Sequence, residues 1–557
     1  MLIILSRKGE SNPRPTLYES VALPLSYFGT ATVYFTTIYR CVPGGSWYND
    51  GIALFMNRVI PSSMASQHPD HAGKPYWHTK EFISTRHEAK ECFLSFSDLG
   101  ISEYKWDWEG KFVDESVVEK LLGEHFEYFA QHQLGKEKFI TFRLPNPKVE
   151  TEFRLGRAFM GILGAASLVR QVGLHNNPLF EVILPMTETA AEMIAIQEAF
   201  VEIASLKHQL YNMSEETIKH IEIIPLFENI ETIANSDEIL GEYLALHEKT
   251  FGFRPKYMRP YVARSDPALN SGIAPTVLAI KIALSRYNVF GKKSGIALYP
   301  IIGSASLPFR GGLTPYTVKQ FAHEYAGVRT ALIQSAFRYD FPFTDVISGV
   351  QELAELLPKG EAQDISDKDE ERLRSLFPVF ESAYRGPIEA LAPLVNDVAG
   401  LLPRRRERVQ HTGLFGYSRG VGKVKLPRAI GFTGAMYSLG IPPELVGTGR
   451  GLARAKKKGL LPLVENTYKN LALDMQKAGR FLNKKALTKL TRSVPQLVGV
   501  AEDVKAIEEY LGGPLEPTTS QEMEHKELVD LIVTRLERNN LTGELLTQAA
   551  LLRKSLG

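Results

Sequence analysis

From residue 90 onward, short apolar runs alternate with longer stretches in which apolar residues recur every three to four positions. Strand-length runs separated by helical periods mark repeated βα units, in which crossover helices cover a parallel sheet. The runs predict strands over Cys92–Ser97, Phe139–Arg143, Phe180–Leu184, Ile221–Leu226, Met258–Ala263, Gly295–Ile301 and Ala331–Phe337, with an eighth inside Leu426–Thr433. Between them, Glu115–His132, Thr187–Leu206, Ser236–Thr250 and Thr276–Arg286 read as helices. The prediction is an α/β fold: a closed TIM-like (β/α)8 barrel elaborated with additional helices. An open doubly wound sheet competes, but no G-x-G-x-x-G follows any of these runs, so its nucleotide-binding form has no support.

The pattern changes twice. About 344–401 (QELAELLPKGEAQDISDKDEERLRSLF within it) is charged and helical in period, an insertion into the barrel; about 460–557 is a helical C-terminal block. No internal repeat or low-complexity linker is visible, so residues 56–557 read as a single catalytic barrel domain. The stretch before it differs. GESNPRPTLYESVALPLSY resembles translated non-coding sequence, so residues 1–55 read as an extension from a start codon set too early, the protein proper beginning at Met56 or Met64. Leu23–Val42 is apolar enough to suggest a signal or membrane segment, but it carries several Tyr and Thr and lacks a small-x-small cleavage site.

Composition narrows the class. Of 557 residues, 44% are hydrophobic and 23% charged, enough for a large core and no sign of general disorder. Against 63 acids stand 65 Lys and Arg, a net charge of +2, which offers no global field for nucleic acid or an anionic membrane. Only Cys41 and Cys92 are present, which excludes a disulfide framework and favours a reduced, cytoplasmic protein.

Catalytic groups of barrel enzymes sit where strands end, so the residues closing each run are the candidates. These are Arg143 (TFRLPNP), Glu228 (IPLFEN), Asp266 (ARSDPALN), Arg310 (SLPFRGG) and Arg338 (IQSAFRYD). Two carboxylates without Cys or His neighbours are hard oxygen ligands suited to Mg²⁺ or Mn²⁺, with positions left for water and substrate. Arginines are planar donors that match carboxylate and phosphate. Singly, each is more often a solvated loop residue; together at five strand ends they imply a small, multiply charged anion held by metal and arginine. Gly311 and Gly312 would let backbone N–H groups approach that anion. His68 lies in the polar segment MASQHPD, beside Gln67. The basic PRRRER (Pro403–Arg408) and Gly-rich Gly413–Arg428 precede the predicted eighth strand, and Gly413–Gly422 is the candidate lid.

These segments resemble phosphoenolpyruvate carboxylase of the compact archaeal type, from SMASQHPD through YKWDWEGK, TFRLPNP, IPLFEN, ARSDPALN, SLPFRGG, YAGV, IQSAFRYD and LPRAIGFTGAMYSLGIPPEL to LLRKSLG. The likeness covers residues 64–557. Against the longer carboxylases, His68 resembles the histidine of AHPTE, Glu228 the metal ligand of PLFET, Asp266 the Asp of GYSDSAKDAG, and Arg310-Gly311-Gly312 the end of HGRGGSIGRGG; Arg143 takes the place of the arginine of DIRQ. Ile302–Ser306 lacks that loop's His and Arg, and Leu269 stands where the long enzymes carry Lys. Arg338, Arg404–Arg406 (Arg405 foremost) and Arg428 are the candidates to supply the missing charge.

The resemblance implies a homotetramer that joins phosphoenolpyruvate and bicarbonate into oxaloacetate and phosphate without a nucleotide. Glu228 and Asp266 would hold Mg²⁺ or Mn²⁺, Arg143 and Arg310 would clamp the anions, and His68 would help break down carboxyphosphate. Two rivals share such features: another barrel enzyme acting on an enolate, pyruvate-kinase-like or citrate-lyase-like, and a catalytically dead metabolite-binding protein. The first lacks a nucleotide motif here, and the second would be expected to have lost a charged strand end.

Overall fold

The computed structural model describes residues 58–108, 113–150, 152–206, 218–407 and 424–557. Residues 1–55, with the proposed start at Met56, the segment Gly413–Gly422 and Arg408 therefore lie outside the described residues. Residues 58–557 belong to one compact unit.

Among the described residues there are ten strands: β1 Ser63–Ser66, β2 Glu103–Asp107, β3 Phe139–Arg143, β4 Glu181–Leu184, β5 Glu222–Phe227, β6 Tyr257–Met258, β7 Tyr261–Val262, β8 Ala297–Leu298, β9 Ile301–Ile302 and β10 Thr330–Ile333. Eight close a parallel barrel in the order β1-β10-β9-β7-β5-β4-β3-β2. β6 and β8 pair as a separate two-stranded ladder just before β7 and β9. Each of those two staves is interrupted at a proline, Pro260 and Pro300, which has no N–H to give the ladder. The closed eight-stranded barrel agrees with the sequence reading.

Two strand positions differ from that reading. Cys92–Ser97 is the end of a helix, Thr85–Ser97, whose buried residues Glu88, Ala89, Glu91, Cys92, Ser95 and Phe96 recur at helical spacing. Leu426–Thr433 runs into a helix, Ala429–Ser438, buried almost all round and so without amphipathic period. The staves that take their places are β1 and β2.

The barrel interior is layered. At the N-terminal end, Arg259 donates to Glu103 (2.9 and 2.7 Å), Glu181 (2.7 Å) and Thr330 (3.1 Å), while Arg58 donates to Glu181 (2.6 Å). Above lies an apolar layer of Met64, Ile183, Ile224, Leu226, Tyr261, Ala263, Ile301 and Leu332, one or two from each contributing stave. Charge returns at the C-terminal ends. The period-2 alternation of strands produces this: along β2, Glu103, Lys105 and Asp107 share the inward face, while Tyr104 and Trp106 join the core beneath the helices.

Helices enclose the barrel, and a helical superstructure fills the rest. Phe343–Leu356, Asp367–Arg374 and Phe377–Leu401 occupy the predicted insertion; helices from Leu461–Thr467 to Gly543–Leu552 make up the C-terminal region. The closing residues return to the barrel, where Leu556 N donates to Asp70 O (2.7 Å).

Candidate active site

β1 ends in Ser66, and the chain turns through Gln67 and His68. Ser66 Oγ lies 2.8 Å from His68 Nδ1, fixing the half-buried imidazole at one nitrogen. Gln67 Oε1 accepts from the Asp107 N–H (2.8 Å), tying this turn to the end of β2. Asp70 accepts from Ala336 N–H (2.9 Å) and Ser335 Oγ (2.9 Å), tying it to the end of β10. Burial, with Lys105, Arg143 and Arg310 nearby, holds His68 well below the ordinary histidine value, against the opposing pull of Asp107. This environment favours the neutral form of the imidazole.

At the end of β3, Arg143 forks onto Asp107, Nε to Oδ1 at 2.8 Å and Nη2 to Oδ2 at 2.6 Å. Burial pushes the Asp107 carboxyl up, but Arg143 and Lys105 prevail and keep it ionised, well below the usual range. Arg310 closes the 3-10 turn Pro308–Arg310. It is buried, and its guanidinium donates to Ser265 Oγ (3.1 Å), Gln334 Oε1 (2.5 Å) and Gly557 O. Gly311 (φ 117°) and Gly312 (φ 69°) follow in backbone conformations that suit glycine, and a Cβ on Gly311 would lie 3.1 Å from the Ser304 Cβ. Arg264 supports the turn from beneath, donating to Phe309 O (3.0 Å) and Pro308 O (3.2 Å).

Glu228 directly follows β5, and Asp266 sits in the first turn of the helix Ser265–Ser271 after β7. Both are half-buried. Their charges meet at Tyr261: burial raises its phenol, Arg143 opposes, and Glu228, Asp107 and Asp266 each raise it further. Asp266 also acts on Arg310. His68, Arg143, Arg310, Glu228 and Asp266 are thus linked by mutual electrostatics at one end of the barrel. Among the described residues, no three His, Cys, Asp or Glu side chains converge as a metal cluster. Two hard carboxylates at the barrel mouth fit Mg²⁺ or Mn²⁺, which need only one or two protein carboxylates when substrate oxygens complete the shell.

Arg338 and Arg405 turn to other partners. Arg338 donates to Ser95 Oγ (3.0 Å) and Ser66 O (2.6 Å) and pairs with Glu91 (3.2 Å); Arg405 donates to His71 O (3.1 Å) and Ala72 O (2.6 Å). Arg406 pairs with Glu88 (3.2 Å) and Glu91 (2.6 Å), and Arg404 is exposed. Arg338 and Arg405 therefore grip the segment that carries His68. Arg428 caps Ala429–Ser438 and is half-buried; Ser304 donates to Leu332 O (2.6 Å), and Leu269 is buried. Sequence reasoning missed Lys105 and Asp107. The usable signal was the alternation E-Y-K-W-D, charges on one face of a strand and aromatics on the other.

The profile of the phosphoenolpyruvate carboxylase family matches residues 60–557. The chain belongs to the phosphoenolpyruvate carboxylase family. The phosphoenolpyruvate carboxylase of Leuconostoc mesenteroides is 40% identical over 479 residues, 86% of this chain and 95% of the relative. That of Metallosphaera sedula is 37% identical over 90% of this chain and all of the relative, and that of Pyrococcus horikoshii 38% identical over 81% and 93%. The latter two bear out the archaeal likeness. No described helix is long and apolar enough to cross a membrane.

Proposed function

We propose that the chain carboxylates phosphoenolpyruvate with bicarbonate in a metal-dependent reaction, replenishing four-carbon acids, with Glu228 and Asp266 as metal ligands. The observation that carries the reading is the junction of a neutral His68, two arginines and two carboxylates at one barrel mouth.

Bound there, Mg²⁺ or Mn²⁺ would offset negative charge on phosphoryl and enol oxygens. Arg143 and Arg310 orient the phosphoryl group and bicarbonate, the positioning that dominates phosphoryl transfer. A bicarbonate oxygen attacks phosphorus and the P–O bond to the enol oxygen breaks, leaving carboxyphosphate and the enolate of pyruvate. Neutral His68 accepts the carboxyl proton of carboxyphosphate, which splits into CO₂ and phosphate. The enolate methylene carbon then attacks CO₂ to give oxaloacetate, and the proton leaves with phosphate. Water must be kept out, since protonating the enolate would release pyruvate; the apolar layer beneath the mouth contributes to this.

The test is an assay without nucleotide. Oxaloacetate and phosphate should form in equal amounts from phosphoenolpyruvate and bicarbonate with Mg²⁺ or Mn²⁺, and stop on chelation. A requirement for ADP, or no product with either metal, would overturn the reading. In the same reading the enzyme is a cytoplasmic homotetramer, checked by light scattering on the full chain.

A further inference from the structure

β10 lies between β1 and β9 in the barrel, so a residue that follows it at the mouth can reach the turns carrying both His68 and Arg310. Ser335, buried at the start of the helix Ser335–Tyr339, reaches the first. Its hydroxyl donates to His68 O and lies 2.9 Å from both Asp70 Oδ1 and His71 Nδ1, while Asp70 N–H donates to it (3.2 Å). Burial lowers the His71 imidazole to about 3, which favours its neutral form. His71 Nε2 lies 2.7 Å from Glu81 O, which can only accept, so the ring proton sits on Nε2 and Nδ1 is an acceptor. Three acceptors on one turn thus share a single hydroxyl proton. The second Asp70 oxygen is used differently. Oδ2 is buried and accepts no hydrogen bond from the described residues, and Arg310 Nη1 stands 3.6 Å from it, beyond hydrogen-bond reach but well within the range of charge. Each group acts on the other: Arg310 opposes the rise that burial gives the Asp70 carboxyl, and Asp70 opposes the fall that burial gives the guanidinium.

We propose that Asp70 is a positioning residue for carboxylation: its two carboxylate oxygens hold the His68 turn and the Arg310 guanidinium at one separation, Oδ1 through Ser335 and Oδ2 by charge. The assignment rests on the carboxylase reading above and adds to it the side chain that joins the anion clamp to the histidine. A carboxylate suits this place. Oδ1 meets the donors of the helix end, Ala336 N–H and Ser335 Oγ, and so fixes the turn to the barrel. Ser265, Gln334 and Gly557 O take the hydrogen bonds of Arg310 and set its plane, while Asp70, with Asp266 second, supplies its counter-charge. The two oxygens serve different steps, because Arg310 orients the reacting anions before phosphorus is attacked and His68 acts once carboxyphosphate has formed.

The experiment uses the full-length enzyme with Mg²⁺ and follows phosphate, oxaloacetate and pyruvate together while phosphoenolpyruvate is varied. Asp70→Asn keeps an oxygen for Ala336 N–H and Ser335 but sets an uncharged amide N–H group against Arg310. Its phosphoenolpyruvate KM should rise at least tenfold, with oxaloacetate still formed one for one with phosphate. Ser335→Ala leaves the Asp70 charge facing Arg310 and frees the His68 turn. Its phosphoenolpyruvate KM should stay within threefold of wild type, while oxaloacetate falls below half of the phosphate released and pyruvate makes up the difference. A merely structural role would lower kcat through a smaller folded fraction and move neither readout. Both variants changing KM and product ratio together, or either leaving both at wild-type values whatever its kcat, would overturn the assignment. Should Asp70→Asn fail to fold, Ser335→Ala decides: a changed product ratio at near-wild-type KM supports the assignment, and an unchanged ratio or a joint change overturns it. A wild-type enzyme that makes no oxaloacetate would instead refute the carboxylase reading itself, and the assignment would fall with it.

Discussion

The fork between Asp107 and Arg143 gives the sharpest test of how the mouth is organised. Both side chains are almost wholly enclosed, at 4% and 8% exposure, and their two bonds measure 2.8 and 2.6 Å. In Asp107→Asn, Oδ1 can still accept from Arg143 Nε, but the amide N–H group confronts Nη2, donor against donor. One charge-assisted bond of about 1.5–3 kcal/mol is lost, and an enclosed guanidinium loses its counter-charge, a change that costs about 3–5 kcal/mol of stability in buried pairs. If the guanidinium swings out of line, roughly 2–3 kcal/mol of transition-state positioning goes with it, about 30- to 150-fold in kcat/KM.

The assay is oxaloacetate formation at saturating bicarbonate with varied phosphoenolpyruvate, alongside thermal unfolding. A second readout is the acid limb of the pH profile: Asp107 raises the proton affinity of His68, so its neutralisation should move that limb to lower pH. A folded Asp107→Asn enzyme with kcat/KM for phosphoenolpyruvate within threefold of wild type would show that Arg143 does not depend on this fork.

Three further outcomes follow from the same geometry. Asp266→Asn should lower turnover by at least a hundredfold and raise the Mg²⁺ or Mn²⁺ concentration for half-activation, and wild-type metal dependence would refute Asp266 as a ligand. His68→Asn should depress oxaloacetate formation more than bicarbonate-dependent phosphate release, with pyruvate appearing in its place; equal loss of both would remove His68 from the carboxyphosphate step. Glu444 accepts from Phe309 N–H (2.7 Å) and Tyr437 Oη (2.7 Å), and burial pushes its carboxyl up to about 7. The folded state then holds a proton the unfolded state has released, so stability should fall as pH rises from about 4.5 to 7. Glu444→Gln should abolish that part of the decline, up to about 3 kcal/mol at pH 8, as measured by urea unfolding at pH 5 and 8; parallel curves for both proteins would refute it.

The parts of the fold that were legible in the sequence are the strands rich in apolar residues. β3 coincides with its predicted range, and β4 and β5 lie within one residue of theirs, each carrying the Val, Ile, Leu and Phe expected of a strand buried on both sides; β10 stops at Ile333, four residues before its predicted end, and the helix Ser335–Tyr339 begins there. β2 was passed over because its inward face is Glu103, Lys105 and Asp107, side chains that count against a strand in any window but suit a barrel end lined with charge. β1, SMAS, has only Met64 and Ala65 as apolar residues, and its burial comes from the barrel around it. Glu228 and Asp266 were legible because position alone, directly after a strand, places a side chain at the mouth. Arg143 and Arg310 were legible in the same way, whereas the directions of Arg338 and Arg405 were not. Whether a guanidinium faces the mouth or turns to a backbone carbonyl, as those of Arg338 and Arg405 do, depends on contacts from segments hundreds of residues away.

The turned-away arginines and the mouth arginines nonetheless serve one physical end. Arg143 is set by Asp107, and Arg310 by Ser265, Gln334 and Gly557, so neither must reorganise when an anion arrives. His68 sits on a turn held at Ser66 by Arg338, at His71 and Ala72 by Arg405, and at Asp70 by the helix Ser335–Tyr339. The apolar layer beneath keeps these charges apart from the Arg259 network at the other end of the barrel, so each set meets its partners in a medium of low polarity. It follows that the residues gripping the turn should matter to catalysis almost as much as those touching substrate. Their loss would act through the direction in which His68 points, and so would lower kcat while leaving the KM for phosphoenolpyruvate nearly unchanged.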